Sequence, residues 1–334
     1  MGVNLRDIAP RKEINYSHLK GEVVAVDAFN AIYQFLSSIR QYDGTPLMDS
    51  KGNITSHLSG LFYRNIALLS EGIKLIYVFD GEAPDLKKGL REKRKEIKAV
   101  ARGKFEEAKK KEDYAEMKKY SQQLSMITKD MIETSKELLE AMGIMVVQAP
   151  GEGEAQASEM AKHKKVFAVA SQDYDCLLFG APILIQNLTL AKKRKTVTGI
   201  VEVKPEVIEL QSVLNSLDIN RDQLICLGIL VGTDYNPKGV KGIGPKKALD
   251  FVRKFKSPVT IFEQFPESDF DWKEVFELFK KPNISQIEEF NFPKMNPDKI
   301  KEILVRCEFS EDRIQKGIER ILEIKEKAKQ KTLF

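Results

Sequence analysis

The chain is poor in the residues that carry soft-metal, redox or nucleophilic chemistry. Its three cysteines, Cys176, Cys226 and Cys307, are odd in number, far apart and without a CxxC pair, which argues against a disulfide framework and fits a reducing interior. His18, His57 and His163 are equally scattered, so neither HExxH nor a Cys/His cluster offers zinc its nitrogen and sulfur ligands. Any metal here must be held by oxygen. No GxxxxGK[ST] phosphate loop, GxSxG elbow or GxGxxG turn after a strand is found, which sets aside P-loop, serine-hydrolase and dinucleotide chemistry. Long apolar runs are missing too: the start MGVNLRDIAPRKEI is charged throughout, and nothing later approaches the roughly 20 apolar residues of a membrane span. A soluble intracellular protein is expected, with no membrane partner.

What the chain does have is length for a large core, 42% hydrophobic residues and a formal charge of +5. Runs rich in Val and Ile at 22–26, 74–79, 144–147 and 166–170 have strand length, and helical patterns follow them. The alternation predicts an α/β fold with a largely parallel central sheet flanked by helices. Residues 183–185 and 197–203 add a hairpin; from there the pattern is helical to the end, in short helices punctuated at Gly232, Pro237, Gly242, Pro258 and Pro282. A segment from 86 to about 143, too polar in its first half to be core, should project from the sheet. Residues 87–129 carry 15 Lys or Arg against 7 Asp or Glu, a net of +8 in a chain of net +5. Such charge reads either as a solvated helix face or as a phosphate-binding surface. The charged residues after Glu323 read as a mobile tail.

Acids recur just past the apolar runs. Asp27 ends VVAVD, Asp80 ends LIYVFD, Glu152 and Glu154 follow IMVVQAP, Asp173 and Asp175 follow VFAVAS, and Asp234 follows CLGILVGT. The carboxyl edge of an open α/β sheet is where ligands bind, because strand ends and the following loops meet there. For Asp27 alone, capping the next helix reads as well as a site role. Seven carboxylates in one place would repel one another and raise their own pKa values unless cations lay among them. Mg²⁺ prefers such oxygen sites, with Mn²⁺ able to substitute. The pairs Glu152/Glu154 and Asp173/Asp175 suit two ions, one activating water and both stabilising phosphoryl charge. The stretch Gly239, Val240, Lys241, Gly242, Ile243, Gly244 precedes Pro245, Lys246 and Lys247. It reads as a backbone clamp for nucleic acid phosphates or as a plain interhelical turn.

These residues sit in blocks that closely resemble the flap endonucleases of the Rad2/XPG structure-specific nuclease group: MGVNLRDIAP, VAVDAFNAIYQFL, YVFDGEAPDLKKGLREKR, APGEGEAQAS, ASQDYDCLLFGAP and LVGTDYNPKGVKGIGPKKAL. The likeness covers nearly the whole chain, and the short C-terminus looks more like an archaeal than a eukaryotic member. It implies a PIN-like 5′ nuclease fold with a helical arch and a helix-two-turn-helix region. The implied layout is one nuclease domain over 1–325 (N-terminal part about 1–105, arch about 86–130, internal part about 140–235, helix-two-turn-helix and C-terminal helices about 225–325), then a tail at 326–334.

The resemblance also implies residue roles. Asp27, Asp80, Glu152 and Glu154 would hold one metal group, and Asp173, Asp175 and Asp234 would complete the second. Lys87 and Arg94, seven apart and hence two turns along one helix face, would reach the scissile phosphate. Tyr33 would stack on a base near the cut, and Gly2 would lie close by once Met1 is lost. Gly239, Val240 and Ile243 would offer backbone carbonyls to K⁺, while Gly239, Lys241, Gly242, Gly244, Lys246 and Lys247 grip duplex DNA. Gln330, Leu333 and Phe334 begin a peptide for the sliding clamp (PCNA) that stops before its final aromatics. The expected activity is 5′ flap endonuclease and 5′-3′ exonuclease cleavage of branched DNA by two metal ions, in replication and repair, by a monomer. A 5′ exonuclease or bubble-cutting relative, and a catalytically silent junction- or clamp-binding scaffold, stand as alternatives.

Overall fold

The computed structural model describes residues 3–81 and 100–331, apart from 106, 109, 112, 114–115, 118, 121–125, 192, 197–198, 269 and 288. Its centre is a seven-stranded sheet in the order β1-β9-β6-β5-β2-β3-β4. The strands are β1 (Lys12–Glu13), β2 (Val23–Asp27), β3 (Lys74–Phe79), β4 (Met145–Gln148), β5 (Ala168–Ala170), β6 (Ile183–Gln186) and β9 (Glu206–Glu209), while β7 (Lys193–Thr196) and β8 (Gly199–Glu202) form a separate hairpin. From β6 to β4 all neighbours are parallel; β9 and β1 close one edge antiparallel. Of the parallel strands β2 comes first, β3 and β4 extend the sheet to one side, and the chain then returns to place β5 on the other. The order therefore reverses at β2, and a crevice opens there at the carboxyl edge.

The strand sequences are near-continuous Val, Ile and Ala because both sheet faces are covered. On one face Ala25, Ile76, Val78, Val169 and Leu184 pack beneath α4 (Gly153–Lys162), α5 (Asp175–Phe179), α6 (Leu210–Leu217), α7 (Arg221–Val231), α8 (Pro245–Phe255), α9 (Pro258–Phe262) and α10 (Trp272–Lys280). On the other, Val24, Val26, Leu75, Tyr77 and Phe79 pack with α1 (Ala28–Ser38), α2 (Ser56–Ser70), α3 (Lys129–Ala141), α11 (Pro297–Arg306) and α12 (Glu311–Lys331). The period-two alternation of β2 and β3 thus divides the core in two. Helix ends follow local chemistry. Asn220 and Gln223 form a reciprocal capping box at α7, and Pro245 opens α8 behind Gly244. Arg221 donates to the carbonyls of Leu178 and Phe179 at the end of α5 and to that of Phe279 at the end of α10, so one cation fastens two helix C-termini.

The expected strands are present, shifted by a residue or two, but 183–185 and 197–203 do not pair as expected: β6 pairs with β5 and β9 in the main sheet, and the hairpin is β7 with β8. β1 and β9 are additions, too short and too charged to be seen by periodicity. A further expectation is corrected. Of the segment 86–143 expected to project, residues 129–141 form α3 and bury Met131, Leu138 and Leu139, whose spacing makes one apolar face. α12 runs through Lys331, in line with the helical pattern expected to the end, because Glu, Lys, Ala and Gln are strong helix formers. No helix among the described residues is long and apolar enough to cross a membrane.

Tyr77, fully buried at the sheet centre, donates its hydroxyl to Asn65 Oδ1 on α2 at 2.8 Å. Tyr77→Phe keeps the ring but strands that acceptor, so it should lower stability by about 1–3 kcal/mol in urea unfolding. An unchanged midpoint would show that the pair adds nothing net.

Candidate metal centre

Asp27 is the last residue of the central strand β2 and the N-cap of α1: its Oδ1 accepts from Asn30 N at 3.0 Å. The cap reading holds, and it leaves the second oxygen, Oδ2, to accept from Ser171 Oγ at 3.0 Å. Asp80, one residue past β3, accepts from Gly153 N at 2.7 Å. A Cβ on Gly153 would lie 2.8 Å from Asp80 Oδ1 and 3.0 Å from the Val78 carbonyl oxygen. Only glycine lets the start of α4 approach β3 so closely, and that approach brings Glu152 and Glu154 beside Asp80.

The loop after β5 carries the third pair. Asp173 N donates to Ser171 Oγ at 3.1 Å, and Asp175 N donates to Asp173 Oδ1 at 3.3 Å. Asp175 Oδ1 in turn accepts from Val3 N at 2.8 Å, so the start of the chain is tied to the site. Carboxylate oxygens of Glu154, Asp173 and Asp175 all lie within 4.8 Å of one another. Glu154 also hydrogen-bonds Asp27, whose carboxyl is raised to about 7 by burial first and by Asp80 second; Asn30, Glu154 and Ser171 oppose the rise. Glu154 therefore stands between the two groups of ligands that the resemblance implied, in contact with both.

Tyr235 closes the ring. It is buried in the loop after α7, beside Asp234, and donates its hydroxyl to Glu152 Oε2. Burial raises its pKa most, and the charges of Asp175, Glu154, Asp234 and Asp80 add to the rise, so the phenol stays a donor. Cys176, beneath the cluster, is held neutral by burial and by Glu154, Asp27, Asp173 and Asp175. All seven carboxylates from five stretches thus act on one small region. Among the described residues, no cationic side chain is among the groups that perturb Asp27. An oxygen-only, electron-rich donor set of this kind fits hard divalent cations and disfavours zinc.

The XPG N-terminal domain pattern matches residues 2–101 and the XPG I-region pattern residues 143–234. Flap endonuclease 1 of Thermococcus onnurineus is 51% identical over all of this chain and 98% of its own length, as is that of Pyrococcus furiosus. The chain belongs to the flap endonuclease family. Its fold matches the structure of flap endonuclease-1 from Methanococcus jannaschii with a TM-score of 0.78 at 43% identity, over 97% of this chain and 98% of that one. The catalytic core of Rad2 in complex with DNA substrate, at 23% identity, shares the fold with a TM-score of 0.70 over 96% of this chain and 98% of that one. Members of the flap endonuclease family are metal-dependent nucleases, and the acidic cluster fits that chemistry.

Some of the other expected site residues are among those described. Tyr33 is on α1, 41% exposed, two turns from Asp27. Lys241, Gly242, Gly244, Lys246 and Lys247 are exposed on the turn leading into α8. Gly239 there has φ +55°, and a Cβ would meet the Val231 backbone at 2.5 Å, so this turn needs glycine for conformation and for close approach. Val240 N donates to the Leu230 carbonyl at 2.8 Å and Ile243 N to the Val240 carbonyl at 3.0 Å. Gly2, Lys87, Arg94, Leu333 and Phe334 lie outside the described residues; Gln330 is within α12. Sequence reading did not anticipate Val3, Asn30, Ser171 or Tyr235. Val3 and Asn30 donate through backbone N–H groups, which leave no signature, and the side chains of Ser171 and Tyr235 are common types whose only mark is their position within two residues of an acid.

Asp27 sets a pH dependence. Its folded pKa is raised from the ordinary 3.8, so the stability it contributes is complete below about pH 4 and is lost as pH rises through about 7. Metal-free protein should therefore be weaker at pH 8 than at pH 5, and Mg²⁺ should raise the Tm at pH 8 more than at pH 5. Asp27→Asn, still a competent N-cap, should stabilise the metal-free protein at pH 8 by about 1–4 kcal/mol. Calorimetry with Mg²⁺ and with chelator checks both; a Tm indifferent to Mg²⁺ at pH 8 would contradict the assignment.

Proposed function

We propose that this chain is a structure-specific 5′ flap endonuclease with 5′-3′ exonuclease activity, hydrolysing phosphodiester bonds at branched DNA junctions. The observation that carries the reading is the meeting of seven carboxylates at the β2 switch point, in a chain 51% identical over its whole length to flap endonucleases. Asp27, Asp80, Glu152, Glu154, Asp173, Asp175 and Asp234 hold the cations, two Mg²⁺ per site with Mn²⁺ as substitute. When bound, such ions supply Lewis acidity at the attacking water and at the oxygens where charge develops. The protein's own part is to keep these carboxylates ionised and aimed inward, through the donors Asn30, Ser171, Gly153, Val3 and Tyr235. Lys87 and Arg94 act as cations on the scissile phosphate, and Tyr33 stacks on the base beside it. Gly2 lies near the substrate.

Duplex DNA is gripped by backbone N–H groups and lysines of the turn 239–247, without reading bases. K⁺ is held there by the carbonyls of Gly239, Val240 and Ile243. The nuclease domain spans 1–325, with the basic segment of the arch at about 86–130 accepting the 5′ strand, and 326–334 is a tail. Gln330, Leu333 and Phe334 contact a sliding clamp, which places a monomeric enzyme at replication and repair junctions inside the cell. The Rad2 structures in complex with DNA substrate support the reading at the level of fold.

An end-labelled double-flap substrate with and without Mg²⁺ tests reaction, polarity and junction preference together; the expected products are a 3′-hydroxyl and a 5′-phosphate. Asp80→Ala should lower cleavage by about 10²-fold or more while leaving DNA binding in place. Full activity in that variant would overturn the metal assignment. Preference for a simple 5′ end or a bubble would select another substrate class within the family, and binding without any cleavage would select a scaffold. Binding should weaken steeply with salt as counterions are released, and joint replacement of Lys241, Lys246 and Lys247 by Ala should reduce the log Kd versus log salt slope by about 2–3. An unchanged slope would remove the turn from the interface.

A further inference from the structure

We infer that Tyr235 is a positioning residue that holds Glu152 for the divalent cation and does so from the loop that leads into the DNA-gripping turn. The inference rests on the nuclease reading above and adds a residue to it. Glu152 is the N-cap of α4 but makes no capping hydrogen bond to it, so its carboxylate is not aimed by its own helix. Tyr235, 83 residues away, donates to its Oε2 from the loop after α7.

The donor itself is rigidly placed. The Tyr235 ring packs edge-on against Phe279, with centroids 5.4 Å apart, and Phe279 packs against Phe179 at 4.8 Å. Tyr235 N donates to Thr233 Oγ1 at 3.2 Å, and Asn236 Oδ1 accepts from both Thr233 N and Thr233 Oγ1 at 3.1 and 2.7 Å. Asn236 Nδ2 donates to the Ile229 carbonyl at 2.6 Å, which pins the loop to the last turn of α7. The same bonds continue toward the turn: Gly239 N donates to the Asn236 carbonyl at 2.9 Å and Val240 N to the Leu230 carbonyl at 2.8 Å. One hydrogen-bonded loop therefore spans from the carboxylate's donor to the backbone that leads to Lys241, Lys246 and Lys247. A donor aimed at a metal-binding carboxylate fixes which oxygen is offered to the ion, and removal of such partners typically costs about 10–100-fold in metal affinity.

Tyr235→Phe deletes the donor and keeps the ring packing. Three measurements on the full chain decide the matter: Mn²⁺ binding to the DNA-free protein, the Mg²⁺ concentration for half-maximal flap cleavage, and flap affinity in chelator. The expected result is Mn²⁺ binding weakened by about tenfold and half-maximal Mg²⁺ raised to match, with chelator-state flap affinity and Tm within error of wild type. In a Glu152→Ala background, Tyr235→Phe should change Mn²⁺ affinity by less than about twofold, because the group it acts through is gone. Unchanged Mn²⁺ affinity in the single variant, or an equal loss in both backgrounds, overturns the proposal. A fall in Tm and flap affinity with metal dependence unchanged would assign Tyr235 a purely structural role and overturn it too. A wild-type protein that cuts no branched substrate counts against the nuclease reading, whereas a wild type that cuts, with a Tyr235→Phe variant of unaltered metal dependence, counts against Tyr235 alone.

Discussion

The constraint on which the rest of the molecule depends is the mutual repulsion of carboxylates in a partly dry crevice. Two charges a few ångströms apart interact far more strongly there than in bulk water. The fold meets that constraint in two ways. Backbone N–H groups of Val3, Asn30 and Gly153, with hydroxyls of Ser171 and Tyr235, donate to Asp175, Asp27, Asp80 and Glu152. What these donors leave uncompensated is visible at Asp27, whose carboxyl is still raised to about 7. The remaining cost falls to cations, and a site arranged in this way is stable as a cluster of anions only when loaded.

Topology explains why the acids come from so many stretches. Because β3, β2 and β5 are parallel neighbours, their carboxyl ends share one edge, and each strand needs only one or two acids just beyond its last apolar residue. The apolar strands and the polar edge are consequences of one register. Moving β3 by a single residue against β2 would turn Tyr77 and Phe79 to the opposite face and carry Asp80 away from Gly153.

This division also decides what could be read in advance. The strands, the helical second half and the acidic cluster of Glu154, Asp173 and Asp175 were legible because each rests on a local pattern: period two, period 3.6, or an acid at the end of an apolar run. For Asp27 the sequence offered a cap or a site role as alternatives, and the cap is the one seen directly. β1 and β9 were not legible, because a sheet edge pairs through backbone groups that carry no side-chain pattern. Tyr235 and Ser171 were missed for a different reason: their function depends on partners 83 and 144 residues away, a relation that no window of sequence contains.

The same geometry links chemistry to recognition. The loop after α7 supplies Asp234 and Tyr235 at one end and the exposed glycine-rich turn at the other, so the site shares an element with the turn proposed to meet duplex backbone. The most direct test of the account is anomalous diffraction from crystals soaked in Mn²⁺. It predicts strong peaks ringed by oxygens of Asp27, Asp80, Glu152, Glu154, Asp173, Asp175 and Asp234. Carboxylates that stay clustered with no peak among them, or that are found dispersed, would contradict it.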